Sequence, residues 1–378
     1  MASDYGVKMK LKVERTLDST QRSKWIDFLE RCENSHARQH PVFAFAEHGK
    51  GRHAIFVWGE EGGEIVSVAI FSLNNLCKFH WFILDAVALS GPCFLDAKTG
   101  QEFIKLFIDY AKKRHMSNVR ISPYWFYPEA EVLEKAIRDL GFIPMKGRGG
   151  ESNRQYTGIV DISLSKDEIL ANFSKSARRE VRRATRQEVT VKYASTFLEA
   201  QLFYNALNDM NRDRHMPVVS ENEYTEMYNN IFNTQDVGVI INAYKGGVFL
   251  GGIWLMRVGN NANVSQFVVS PEALHNLSNL RIAPFIWYEA MCWAKDKGCK
   301  NFDVEGYVED VDKSNPMYNI YKYKREFSPK GVYRINEYIF VISRAKYNIQ
   351  HGFDVINKAK RRIIKYFQIG FTKIMSLR

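Results

Sequence analysis

The feature that most constrains this fold is a local unit that occurs twice. Residues 107–114 carry apolar positions at helical spacing and lead, eight residues after Ala111, into the short strand-like Val119-Arg120-Ile121. Residues 291–298 lead in the same way, eight residues after Ala294, into Phe302-Asp303-Val304. Each copy reads as an amphipathic helix feeding a strand. Paired apolar runs precede both: 54–58 with 65–72, and 237–244 with 248–258. In the second pair Lys245-Gly246-Gly247 is a hairpin turn, because glycine accepts the positive φ that such turns need. A helix–strand unit cannot bury its apolar face alone, so two copies call for two mixed α/β halves.

At 378 residues, 46% of them hydrophobic, the chain can support two cores. The richest run of glycine and polar residues, 146–153, marks the boundary. The expected division is 1–150, 151–342 and a basic tail, 343–378. Before the boundary, residues 132–140 read as a helix closed by Gly141. After it, residues 157–162 read as a strand, and Ser165-Lys166-Asp167-Glu168 supplies a capping box for the next helix. Cys32, Cys77, Cys93, Cys292 and Cys299 form no C-x-x-C and no paired framework, which points to reduced thiols in a cytoplasmic setting. The first twelve residues have no apolar signal core, and the most apolar stretch, 79–89, is interrupted by Asp85 and too short to span a bilayer. A soluble or peripheral protein is expected.

The net charge is +11, and residues 341–378 hold nine Lys/Arg against Asp354 alone. An anionic partner follows, whether lipid, RNA or nucleotide-sugar. Two segments could meet it. Residues 169–187 are helical in propensity, and Lys175, Arg178 or Arg179, Arg182 and Arg186 recur at three- and four-residue spacing with Arg183 beside them. Stacked like charges repel unless an anion neutralises them, and arginine suits bidentate phosphate contacts; a solvated face is the plain alternative. In the tail, Ile356, Ala359, Ile363 and Phe367 form a stripe flanked by Lys358, Arg361, Arg362 and Lys365. Such a helix either lies in an anionic membrane interface or packs on the body.

Several chemistries lack their motifs: there is no G-x-S-x-G, P-loop, G-x-G-x-x-G after a strand, or H-E-x-x-H. His36 and His40 are four apart, but Pro41 follows and no carboxylate completes a set, so no metal site is expected. An enzyme using acyl-CoA needs a glycine-rich turn whose N–H groups cradle the pyrophosphate at a helix N-terminus. The corresponding stretch here, 260–297, contains no glycine, which argues for a donor held elsewhere.

The remaining signal is Tyr321-Lys322-Tyr323-Lys324-Arg325-Glu326-Phe327, preceded by Phe302-Asp303-Val304-Glu305-Gly306. These resemble the Y-x-F-K-x-x-F and F-D-x-G-G patterns of Fem-type transferases, with Tyr323 in place of Phe and Glu305 in place of the first Gly. Matches in the family's order include Gly91-Pro92, Ile121-Ser122-Pro123, Leu140-Gly141-Phe142 and the run 177–184, covering roughly residues 10–340. The resemblance implies two GNAT-like domains in tandem, followed here by the basic helix. It also implies aminoacyl transfer from aminoacyl-tRNA to an amine of a nucleotide- or lipid-linked peptidoglycan precursor, with no bound cofactor, at the inner face of the membrane. Lys324 would stabilise the oxyanion or the tRNA end and Tyr323 would shape the pocket, with Arg325 adding charge. Arg212 would hold the precursor's phosphates, with Arg214 the close alternative and Arg182 or Arg178 assisting. Asp303 or Glu305 would assist proton removal. Two other classes stay open: an N-acyltransferase taking acyl-CoA or a carrier-protein thioester, and a non-catalytic protein binding anionic ligands.

Overall fold

The computed structural model describes residues 8–44, 53–75, 84–145, 156–233, 236–271, 273, 280–349 and 352. In the first unit β1 (Lys10–Glu14) and α1 (Ser19–Arg31) precede β2 (His53–Glu61), β3 (Glu64–Asn75), β4 (Leu84–Ala88) and β5 (Cys93–Phe94). The helix α2 (Ala97–Lys113), β6 (Asn118–Ile121), α3 (Ala130–Asp139) and β7 (Ile143–Pro144) follow. The second unit opens with β8 (Tyr156–Asp161), α4 (Lys166–Asn172), α5 (Lys175–Arg186), β9 (Thr190–Tyr193), α6 (Phe197–Asp213) and α7 (Glu221–Met227). It continues through β10 (Gly238–Lys245), β11 (Val248–Val258), β12 (Asn261–Val269), α8 (Ala283–Asp296), β13 (Asn301–Asp303), α9 (Tyr318–Lys324) and β14 (Lys330–Tyr333), and β15 (Tyr338–Val341) is the last strand among the described residues. One sheet runs β1-β2-β3-β4-β6-β15-β7 with β5 on β3, and the other runs β14-β8-β13-β12-β11-β10-β9.

The duplicated unit is visible in the topology. Among the described strands, the parallel pairs are β4 with β6 and β12 with β13. A parallel pair needs a crossover, and α2 and α8 supply the two crossovers. α2 buries one stripe, Phe103, Ile104, Phe107, Ile108 and Ala111. α8 is not amphipathic in the expected sense: Phe285, Ile286, Trp287, Ala290, Met291, Trp293 and Ala294 are all buried, because the sheet covers one side and α5 packs on another. The hairpin between β10 and β11 turns on Gly246 and Gly247, at φ +56° and +82°. Gly141, at φ +93°, ends α3 as expected.

Two expectations need correction. The basic helix is not continuous over 169–187. Phe173 is extended (φ −65°, ψ 158°) and buried, and the Ser174 side chain accepts from Ala177 N–H at 3.1 Å to start α5 afresh. The chain also does not divide into consecutive halves at 342, because β15 returns to the first sheet and pairs antiparallel with β6 and β7. The boundary run 146–153 and the tail residues Lys358, Arg361, Arg362 and Lys365 lie outside the described residues. No helix among the described residues is long and apolar enough to cross a membrane.

The two units meet through a shared core rather than a thin hinge. Trp25, Phe28 and Leu29 of α1 lie in one buried cluster with Phe203 and Tyr204 of α6 and Trp254 of β11. Asn261, at the start of β12, donates from Nδ2 to the carbonyls of Glu33 (2.8 Å) and Ser35 (3.0 Å). That fixes the splayed β12–β13 pair against the first unit.

β15 is held by Tyr338, which is fully buried and donates its hydroxyl to Glu134 of α3. Tyr338→Ala should cost about 3–5 kcal/mol, the range for truncating a buried aromatic. Urea denaturation measures it; a loss below about 1 kcal/mol would show that β15 is dispensable to the first unit.

Candidate active site

β12 and β13 pair over only three positions, from Asn261 opposite Asn301 to Asn263 opposite Asp303. β13 then ends while β12 runs on to Val269. Between the diverging chains lies a cavity of about 620 Å³, lined by residues 264–269 with Trp287, Val304, Glu305, Tyr323, Lys324 and Arg214. The opening is a direct consequence of ending one strand of a parallel pair early.

What ends β13 is a turn with two left-handed residues, Glu305 (φ +54°) and Gly306 (φ +45°). Glycine accepts this conformation freely, whereas a side chain there costs about 1 kcal/mol. The turn faces two carbonyl oxygens the same way, and Lys324 Nζ donates to both, to Glu305 and to Gly306 (3.2 Å for the latter). An ammonium has three N–H groups, so one is left for the cavity. Burial lowers Lys324 to about 8, with the charges of Glu305 and Asp303 working against the shift. Tyr323 packs beside it, its ring edge-on to Trp287 (5.9 Å) and Phe327 (5.2 Å). The Tyr323 hydroxyl is buried with no hydrogen-bond partner among the described residues.

Asp303 sets the turn. It is 1% exposed. Its Oδ1 accepts from Thr157 Oγ1 (2.5 Å) and Glu305 N–H (2.7 Å), and its Oδ2 accepts from Tyr124 Oη of the first unit (2.7 Å). Burial and the neighbouring Glu305 charge raise its carboxyl above the usual range. With three donors on it and no face in either cavity, Asp303 supports the turn that positions Lys324. It is not a group poised to take a substrate proton.

A second cavity, about 200 Å³, lies at the corresponding place in the first unit. Ser90 and Ser122, just past the ends of β4 and β6, line it together with Arg38, Arg334 and Glu305. Residues 264–266 and Glu305 belong to both cavities. Glu305 is therefore the carboxylate at their junction. His36, 2% exposed, faces it with Nε2 3.9 Å from Oε1. His36 Nδ1 accepts from Arg38 N–H at 3.1 Å, which places the ring hydrogen on Nε2. Burial lowers the His36 pKa, so the ring is neutral. Burial alone would raise Glu305, but the facing imidazole and the charges of Arg334 and Arg38 outweigh it and hold the carboxyl below its usual range.

The remaining expected residues separate clearly. Arg214, the C-cap residue of α6, lines the Lys324 cavity; Arg212 lines neither cavity and pairs with Asp209 at 2.5 Å. Arg178 is committed to the carbonyls of Ala171 (2.5 Å) and Phe173 (2.8 Å), closing α4. Arg325 donates to the Glu309 carbonyl and ties down the preceding loop. Arg182 is exposed on α5 with Lys175, Arg179 and Arg186. α5 adjoins the lysine segment through Glu326, whose carbonyl accepts from Ser174 N–H (2.8 Å) and whose carboxylate accepts from Arg281 (3.0 Å). His36 and His40 each cap a short turn through Nδ1. Sequence reasoning set His36 aside as a non-ligand and missed Arg38, Tyr124 and Arg334, since no motif marks them and only the fold brings them to the turn at Glu305.

Residues 171–325 match the family model described as an acetyltransferase (GNAT) domain. The crystal structure of FemX superposes with a TM-score of 0.77 at 15% identity, covering 89% of this chain and 99% of that one. The chain shares the FemX fold, with two GNAT-like units in tandem. L-PGS from Bacillus licheniformis shares the fold more loosely, with a TM-score of 0.51 at 13% identity over 88% of this chain and 96% of that one. No curated protein sequence matches the chain. In this arrangement the cavity of the second unit holds Lys324 and Arg214, that of the first holds Arg38 and Arg334, and Glu305 lines both.

Asp303→Ala would strand the Tyr124 and Thr157 hydroxyls and the Glu305 N–H. A loss of about 3 kcal/mol is expected, with Asp303→Asn, which keeps an oxygen for two of these donors, nearer about 1 kcal/mol. Denaturation of both variants decides it; equal small losses would show that the carboxylate does not hold the turn.

Proposed function

We propose that the protein transfers an aminoacyl group from aminoacyl-tRNA to a primary amine of a nucleotide- or lipid-linked cell-envelope precursor. The observation that carries this reading is Lys324, fixed by two carbonyls with one N–H left for a cavity that also contains Arg214. In the reaction the acceptor nitrogen bonds to the ester carbonyl carbon, and the C–O bond to the tRNA ribose breaks. The proton lost by the amine balances the one gained by the leaving hydroxyl. Charge builds on the carbonyl oxygen meanwhile, and a preorganised ammonium lowers that barrier. Tyr323 shapes the wall of the pocket, and Arg214 offers a phosphate a guanidinium. The exposed Lys175, Arg179, Arg182 and Arg186 of α5 would follow the tRNA backbone. The protein would act in the cytoplasm, at the inner face of the membrane where its precursor is a lipid.

A transferase using acyl-CoA is the second reading, favoured by the GNAT domain match. Against it, Pro284 removes an N–H donor from the first turn of α8, and the segment before it has no glycine to form a pyrophosphate cradle.

Label from mixed charged tRNAs should pass to extracted wall precursors with wild type and fall by at least roughly 100-fold with Lys324→Ala, the scale for losing one oxyanion donor. No transfer by a protein that binds CoA in a calorimeter would replace this reading with the second.

The pH dependence supplies a separate check. Lys324 is cationic below its pKa, so turnover should fall as pH rises through about 8. Lys324→Arg, whose charge persists, should lose that alkaline limb. A wild-type rate that instead rises through this range would make the neutral amine the active form.

A further inference from the structure

We infer that the Glu305 carboxylate is an ammonium subsite, holding the primary ammonium group of a substrate where the two cavities join. It deepens the transferase reading and takes its biological sense from it, but ammonium binding itself requires no transfer.

The backbone gives the first reason. At φ +54° position 305 favours glycine, and glycine is what the Fem-type pattern has there. A glutamate stands at this position against that preference, and its backbone is pinned on both sides, the N–H by Asp303 and the carbonyl by Lys324. Strained positions of this sort cluster at ligand sites. The turn thus delivers an acidic side chain to a fixed point, and that side chain is 39% exposed, open to a ligand.

The surroundings give the second. His36 Nε2 is buried, without a hydrogen-bond partner among the described residues, and directed at the carboxylate. The other charged groups lining the two cavities are Lys324, Arg38, Arg334, Arg214 and Asp213, with Asp303 sealed behind the turn and Glu337 paired with Arg120 at 3.5 Å. Those four cations suit phosphate, carboxylate or a developing oxyanion. They would repel a protonated amine. Glu305 is the anion shared by both cavities, and it can accept from an N–H⁺ donor without titrating. Aminoacyl transfer brings two primary amines to this point: the α-ammonium of the donor and the attacking amine of the acceptor. An anion at the junction orients one of them, which a glycine cannot do.

Saturation-transfer NMR of the full chain tests this with three probes: L-alaninamide (an α-ammonium), Nα-acetyl-L-lysinamide (a side-chain ammonium) and the neutral N-acetyl-L-alaninamide. Wild type should bind one ammonium probe at least tenfold more tightly than the neutral one. Preference for alaninamide assigns the subsite to the donor, and preference for the lysine probe assigns it to the acceptor. Glu305→Gln and Glu305→Gly should both abolish the preference, while Glu305→Gly melts no lower than wild type because glycine relieves the backbone. Equal binding of charged and neutral probes, or a preference that survives both variants, overturns the subsite. Label transfer serves to separate the two ideas. An ammonium preference without transfer leaves the subsite standing and removes the transferase; transfer with KM values insensitive to Glu305→Gln removes the subsite alone.

Discussion

A single buried carboxylate organises this molecule. Asp303 ends a strand of the second unit, yet one of its three hydrogen bonds comes from Tyr124 of the first. Remove the charge and a chain of fixed positions loosens in order: the Glu305 N–H, the left-handed turn, the two carbonyls and the Lys324 ammonium they hold. A carboxylate this deep is costly to bury, and it is retained where hydrogen bonds satisfy it from both units. The placement of the lysine is therefore coupled to the docking of the two units. Neither unit alone contains a complete site.

The duplicated topology explains why there are two cavities and why they meet. Each unit has one parallel pair with a crossover helix, and each cavity opens past the ends of such a pair. Because the units pack through a shared apolar cluster, the two openings face each other across residues 264–266 and Glu305. Two substrates of different chemistry can then approach from separate sides, and the fold supplies this without an added loop.

Much of the architecture was legible from the chain. The paired helix–strand units, both hairpins, the capping box at Ser165 and the glycine stop at Gly141 all depend on contacts a few residues apart, which sequence records directly. The failures share a cause. Arg178 reads as one more cation on a basic face, but the break at Phe173 frees carbonyls that its guanidinium then closes. Arg212 and Arg214 differ by two positions at the end of α6, and a helix turns through about 200° over two residues, so only one faces the cavity. β15 joins the first sheet across nearly the whole second unit, and nothing local in Tyr338-Ile339-Phe340-Val341 names its partner. The motif singles out Asp303, but motif alone does not distinguish a carboxylate that reacts from one that positions.

Lys324 shows why the site needs both units' charges in balance. An ammonium taken from water into a cavity loses solvation, and the result is a pKa of about 8 rather than the usual lysine value. Two carbonyl dipoles and the nearby Glu305 and Asp303 keep it from falling further. Had Asp303 been the stronger anion, exposed and unpartnered, it would draw the ammonium into an ion pair and away from any developing oxyanion. Its saturation by Tyr124, Thr157 and the Glu305 N–H prevents that, so the lysine is stabilised by backbone and keeps a proton donor for the cavity. Structural saturation of one acid thus leaves the neighbouring ammonium an N–H for the cavity, and it depends on a hydroxyl reaching across from the other unit.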